Sequence, residues 1–235
     1  MTDTSVVDTS ALGFAAFDAD NHYYEAIDAF TRYLDPAFRK RGVQWATIDG
    51  RNRLLVGGKI CRFIPNPTFD PIARPGALDL YFRGKQPSSD IRAAFGDLER
   101  LADRPEYRDR DARIVRMDAQ GLDGCFLFPT LGVGIEEALA HDVDALYASF
   151  RAFNRWLEDD WGYAYQDRIF AAAMLSLADP AQAEAELARV LDAGARIVCL
   201  RAAPIRTASG GRSPGAPEFA RFWSMVDEAG ITVGY

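Results

Sequence analysis

Histidine is scarce in this chain. There are only two in 235 residues, His22 and His141, and the three cysteines do little to make up for them as possible ligands. Cys61, Cys125 and Cys199 are odd in number and far apart, which excludes both a disulfide framework and a zinc-ribbon spacing. Cys125 and Cys199 fall in the apolar runs "GCFLF" and "IVCL", where a thiol acts as a small hydrophobe. Net positive charge is also lacking. At -7, with a pI near 4.9, the chain repels phosphate at long range and argues against a nucleic-acid partner. A local basic run such as "FRKRG" (Phe38 to Gly42) reads as a solvated face. No apolar stretch approaches the roughly 20 residues of a membrane span. The opening "MTDTSVVDTSALGF" carries acids where a secretory signal has a basic region. Together these absences predict a soluble protein of a reducing cytoplasm, away from nucleic acid and membranes.

What is present is a rhythm. At 49% hydrophobic the chain is long enough for one substantial core, hence one domain over 1–235. "GFAAFDAD" reads as a short apolar strand ending in acids, and "YYEAIDAFTRYL" has helical spacing. From about residue 35 to 110 the rhythm breaks into a lid-like insertion. Within it "WATIDGRNRLLVGGKICRF" predicts a β-hairpin turning at Asp49-Gly50. The Pro- and Gly-rich stretch "IPNPTFDPIARPGALDLYFRGKQPSS" predicts a long irregular loop. Beyond it, "RDARIVRMDAQG" is a helix stopped by Gly121, "GCFLFPT" a strand, and "IEEALAHDVDALYASFRAFNRWLED" helical. "IFAAAMLSL" is a strand, and "DPAQAEAELARVLDAG" a helix opened by Asp179-Pro180 and closed at Gly194. "RIVCLRA", "APEFARFWSMVDEAG" and "ITVGY" complete the series as strand, helix and strand. Strands that are apolar throughout, alternating with helices, mean a parallel α/β sheet covered on both faces. Five such strands allow an open, doubly wound sheet or about five βα units of a (β/α)8 barrel.

Around the end of the first strand the sequence reads "FDADNHYYE", Phe17 to Glu25. Asp20 and His22 are two apart, so on an extended strand they share a side, with Asp18 deeper on that same side. A carboxylate and an imidazole at the carboxyl edge of a parallel sheet suit a divalent metal such as zinc or manganese. Glu25, about one helical turn on, is either a further ligand or a partner that holds the imidazole. The alternative is that Asp20 caps the next helix and its neighbours are ordinary loop residues. Two other residues are candidates for substrate contact. Thr130, at the end of the second strand, either faces the mouth or caps a helix. Arg201, ending the fourth, would pair its planar fork with a substrate carboxylate or with a neighbouring loop. Gly132-x-Gly134 hints at dinucleotide binding. Glu137 stands where the third glycine belongs, so a plain turn is the better reading. Trp161, Tyr163 and Tyr165 precede the third strand and read as packing.

"FDADNHYYE" resembles the first-strand motif of the amidohydrolase superfamily, in particular its amidohydrolase-related, aminocarboxymuconate-semialdehyde decarboxylase-like branch. The likeness continues through "RIVRMDAQGLDGCFLFPT", "FNRWLEDD", "RIFAAAMLSLADPAQAEAELARVLDAGARIVCLRAAP" and "FARFWSMVDEAGITVGY". It implies an incomplete (β/α)8 TIM barrel with one catalytic divalent metal, Asp20 and His22 standing at the first two ligand positions. The implied chemistry is hydrolysis, or non-oxidative decarboxylation, of a small carboxylate or aromatic substrate. Such families supply two further histidines and an aspartate from later strands. The chain reaches Tyr235 before any of them, and His141 falls in a helix outside the barrel. The resemblance therefore implies an N-terminal fragment, inactive by itself, with no catalytic residue to name. Such a fragment would expose apolar sheet edges at Ile231 to Val233, to be covered by aggregation or a homodimer. The competing expectation is a non-catalytic binding or structural module on an open five-stranded parallel sheet.

Overall fold

The computed structural model describes residues 13–85, 95–96, 98–207 and 210–235. The polar N-terminal tail and part of the Pro/Gly-rich loop lie outside the described residues. Strand β1 (Phe17–His22) pairs in parallel with β7 (Gly124–Phe128), and β7 with β8 (Ile169–Ala171). Ala172 alone separates β8 from β9 (Ala173–Met174), and its N–H still bonds Leu127 O at 3.0 Å. β9 then pairs with β10 (Ile197–Cys199), and β10 with β13 (Thr232–Gly234), again in parallel. Each parallel strand lies beside the one before it in the chain. A doubly wound sheet needs a reversal of strand order, and among the described residues there is none. Sequential order is the winding of a barrel.

The helices follow from local chemistry. α2 (Arg110–Gln120) is capped by Asp109, whose carboxylate accepts Ala112 N, and stops where Gly121 takes φ 66°. The long helical stretch expected after β7 is two helices, α3 (Ile135–Leu139) and α4 (Val143–Asp160). Asp142 breaks it, accepting Ala145 N and pairing with Arg41 at 2.7 Å. α5 (Pro180–Asp192) is capped by Asp179 as its Asp-Pro start predicts, and α6 (Ala220–Ala229) ends at Gly230. The core lies between these helices and the outward side chains of the sheet. Cys125, Leu127, Ile169, Ala171 and Val198 are all buried there.

The insertion contains the predicted hairpin, β2 (Val43–Ile48) against β3 (Arg51–Val56), continued by β4 (Lys59–Ile60). Asp49 and Gly50 both take positive φ, as a tight two-residue turn requires. β5 (Ile72–Ala73) and β6 (Leu98–Glu99) close a short ladder around the single-turn helix α1 (Asp79–Phe82). A second hairpin, β11 (Ile205–Thr207) with β12 (Gly210–Arg212), follows β10 and was not legible in the sequence.

One expected helix is missing. Over "YYEAIDAFTRYL" the chain makes only separate turns, such as Ala29 N to Ala26 O and Arg32 N to Asp28 O. The carbonyls that would open the helix are engaged elsewhere. Tyr23 O accepts Thr130 Oγ1, while Arg108 donates to both Tyr24 O and Glu25 O.

Candidate active site

The carboxyl end of β1 is bent by its own sequence. Asp18 Oδ1 accepts Asp20 N at 3.0 Å, and the register slips between Asp18 and Asn21. Three residues of β1 therefore span what two cover on β7: Asp18 pairs with Cys125, Asn21 with Leu127 and His22 with Phe128. This bulge overturns one expectation. Asp18 does not share a side with His22; it faces the helices together with Asn21, whose Nδ2 it accepts at 2.9 Å. His22 shares the inner side with Phe128, their rings 6.2 Å apart.

Asp20 and His22 are brought together. His22 Nε2 lies 3.5 Å from Asp20 Oδ1, and both side chains reach solvent. His22 Nδ1 is 3.1 Å from Pro129 O. A carbonyl oxygen has no proton to give, so Nδ1 is the protonated nitrogen. Nε2 is the ring nitrogen left on the carboxylate side. The spacing fits one ion: two ligands at about 2.0–2.2 Å from a tetrahedral zinc stand about 3.4 Å apart. They are only two. Among the described residues no three His, Cys, Asp or Glu side chains gather as a metal site.

Arg113, on α2, holds this end from behind. It is 5% exposed and donates to Glu106 O, Asn21 Oδ1 and His22 O at 2.7, 2.5 and 3.0 Å. Its guanidinium also lies over the rings of Tyr107 and Trp161. Sequence reasoning missed it, although an arginine beside Ile114 and one turn from Met117, on the buried stripe of its helix, was a signal.

Of the two places expected for Glu25, a further ligand or a partner of the imidazole, it makes the direct contacts of neither. It is buried, and its Oε1 accepts the backbone N–H groups of Thr130, Leu131 and Gly132. Thr130 is spent on the same junction: its hydroxyl donates to Tyr23 O at 2.7 Å. Gly132 serves packing here rather than phosphate, since a Cβ would come within 2.3 Å of Met174 Sδ. His141 is exposed at the turn between α3 and α4, beside Gly57 of the hairpin. Trp161 and Tyr163 are buried as packing residues.

Arg201 follows β10 and forms an ion pair with Glu137 at 2.6 Å. It lines a cavity of about 220 Å³ with Gly132, Glu136, Met174, Cys199 and Tyr235, at the carboxyl ends of β9, β10 and β13. Neither Asp20 nor His22 lines it. Glu136 accepts Ser176 Oγ at 2.9 Å, and burial raises its carboxyl above the ordinary range. Burial likewise pushes the Cys199 thiol up to about 11, which keeps it protonated and unreactive.

No protein-family model matches the chain, and no curated protein matches it in sequence. Among solved structures, an amidohydrolase from Mycobacterium avium subsp. paratuberculosis K-10 is similar at 48% identity and TM-score 0.89. The match covers 94% of this chain and 57% of that one, so the chain spans little more than half of that protein's length. Two structures of 2,6-dihydroxybenzoate decarboxylase, one complexed with 2,6-dihydroxybenzoate and one from Rhizobium, match at 22% identity and TM-score 0.44. Those matches cover 70% of this chain and 47% and 46% of the two decarboxylase chains; a likeness that distant carries no argument.

Proposed function

Because the chain belongs to the amidohydrolase superfamily, we propose that Asp20 and His22 supply two ligands of a divalent metal, zinc or manganese, in a hydrolase- or decarboxylase-type site. The supporting observation is the placing of the imidazole Nε2 3.5 Å from a carboxylate oxygen, with Nδ1 engaged by Pro129 O. A metal bound there would polarise a water or a substrate oxygen.

The protein's own contribution is placement. Arg113 and Asn21 fix the backbone of His22, and the Pro129 carbonyl fixes its tautomer. Arg201 would exchange Glu137 for the carboxylate of a small acidic or aromatic substrate, a swap of one charge-assisted pair for another. The reaction class is hydrolysis of a C–N or C–O bond, or non-oxidative loss of a carboxyl group. Two protein ligands leave a zinc shell incomplete, so the 235-residue chain by itself is expected to bind metal weakly and turn over little substrate.

Equilibrium dialysis against zinc and manganese tests the reading. The expected result is uptake that falls at least about tenfold in both Asp20→Ala and His22→Ala, with far-UV circular dichroism unchanged. Uptake that neither substitution alters would overturn the site. Turnover by the metal-loaded chain at ordinary enzyme rates would overturn the expected inactivity.

A further inference from the structure

Glu25 is 1% exposed, a costly place for an acid. Its Oε1 takes three backbone donors, from Thr130, Leu131 and Gly132 at 2.9, 2.8 and 3.1 Å, while Oε2 has no partner among the described residues. Capping a loop does not need this arrangement. Asp142 and Asp179 cap their helices with one backbone bond each, from positions nearer the surface.

What the arrangement holds is the residue just before those three. Pro129 O is 3.1 Å from His22 Nδ1. The loop 129–132 thus has the acid at one end and the imidazole proton at the other, and its two clients, His22 and Glu25, are three residues apart in the chain. Thr130 Oγ1 adds a bond to Tyr23 O, between them in sequence, at 2.7 Å. The crossing of the first strand's exit and the second strand's exit is closed as a ring.

We propose that Glu25 is a positioning residue for His22: by gathering the N–H groups of Thr130 to Gly132 it fixes the Pro129 carbonyl, which keeps the imidazole proton on Nδ1 and Nε2 open toward Asp20. Its purpose rests on reading Asp20 and His22 as ligands, but the device itself is visible without metal. Glu25→Gln keeps one acceptor oxygen for the three donors and places its amide nitrogen where Oε2 has no partner. Glu25→Ala removes the acceptor altogether.

The test uses the metal-free chain with ¹⁵N-labelled histidine. Only two imidazoles exist, and His141→Gln assigns them. Long-range ¹H–¹⁵N spectra at alkaline pH separate the Nδ1–H from the Nε2–H form. The expected result is the Nδ1–H form at His22 in the parent chain and in Glu25→Gln, and its loss from most molecules in Glu25→Ala. An Ala variant that keeps the Nδ1–H form, or Ala and Gln variants that behave alike, would overturn the proposal. Should Ala unfold the chain, Glu25→Asp replaces it under the same two outcomes, because its carboxylate falls one methylene short. Zinc added afterwards separates the two ideas. Parent His22 signals that ignore zinc count against the metal reading alone.

Discussion

Burial sets the sign of the Glu25 response to pH. Desolvation raises its carboxyl from 4.5 to about 7, and the backbone donors keep it from rising further. An acid raised on folding holds its proton in the native state across that window while the unfolded chain has already lost it. Stability therefore falls as pH rises from about 4.5 to about 7 and is lowest above it, by a few kcal/mol. Urea midpoints across this range should decline in the parent chain and decline less in Glu25→Gln. Equal slopes would show that the group does not carry the effect. Arg113 makes a second prediction. Replacing it with Met leaves Glu106 O and His22 O without their donor, which should cost about 3 kcal/mol in chemical unfolding. A loss within about 0.5 kcal/mol would mean that water replaces the guanidinium. At this scale the sequence was a better guide to which side chains meet than to which way each faces. Asp20 and His22 were legible as a pair from their spacing. The error over Asp18 came from its own side chain, which caps Asp20 N and makes the bulge that reverses the alternation.

Elements were legible where they carry their own punctuation. Asp109 with Gly121, and Asp179 with Gly194, bracket helices whose ends need no tertiary partner. They failed where a distant group competes for the backbone, as Thr130 and Arg108 do for the carbonyls of residues 23 to 25. The same competition reaches a strand at Met174 in β9. Asn154, fully buried on α4, accepts Met174 N and donates to Met174 O at 2.9 Å each, replacing a ladder step with a side-chain amide. Its second amide hydrogen goes to Glu186 at 2.8 Å. Asn154→Ala strands both backbone groups of Met174 in the core, while Glu186 Oε1 keeps its bonds from Arg189. The expected loss is about 2–4 kcal/mol, read as a lower urea midpoint at unchanged slope. A loss below about 1 kcal/mol would mean that the strand re-forms without the bridge.

At the scale of the molecule, sequential strand order has a consequence for the inner face of the sheet. Phe17, Phe126 and Phe170 meet there on three neighbouring strands, Phe17 edge-on to Phe126 with centroids 4.9 Å apart. Phe17 fits because Gly124 lies opposite it; a Cβ there would come within 2.7 Å of the ring. Phe128 continues the row toward Gly234 on β13. These rings are less covered than the helix-facing side chains, Phe17 being 47% exposed. Among the described residues β1 and β13 have one neighbouring strand each, so two edges of the ladder also stay open. Apolar faces and open edges of this kind associate. Light scattering on the 235-residue chain should therefore give a mass that rises with concentration, and Phe17→Thr with Phe170→Thr should lower it. The sequence could signal strands of one apolar character, but not which of their faces lacks a cover, since both faces read alike in a buried parallel sheet. A chain that stays monomeric at high concentration, and whose stability ignores zinc, would instead match the simple binding module. The inner aromatic row would then be a finished surface, and the pairing of Asp20 with His22 would have to be explained without an ion.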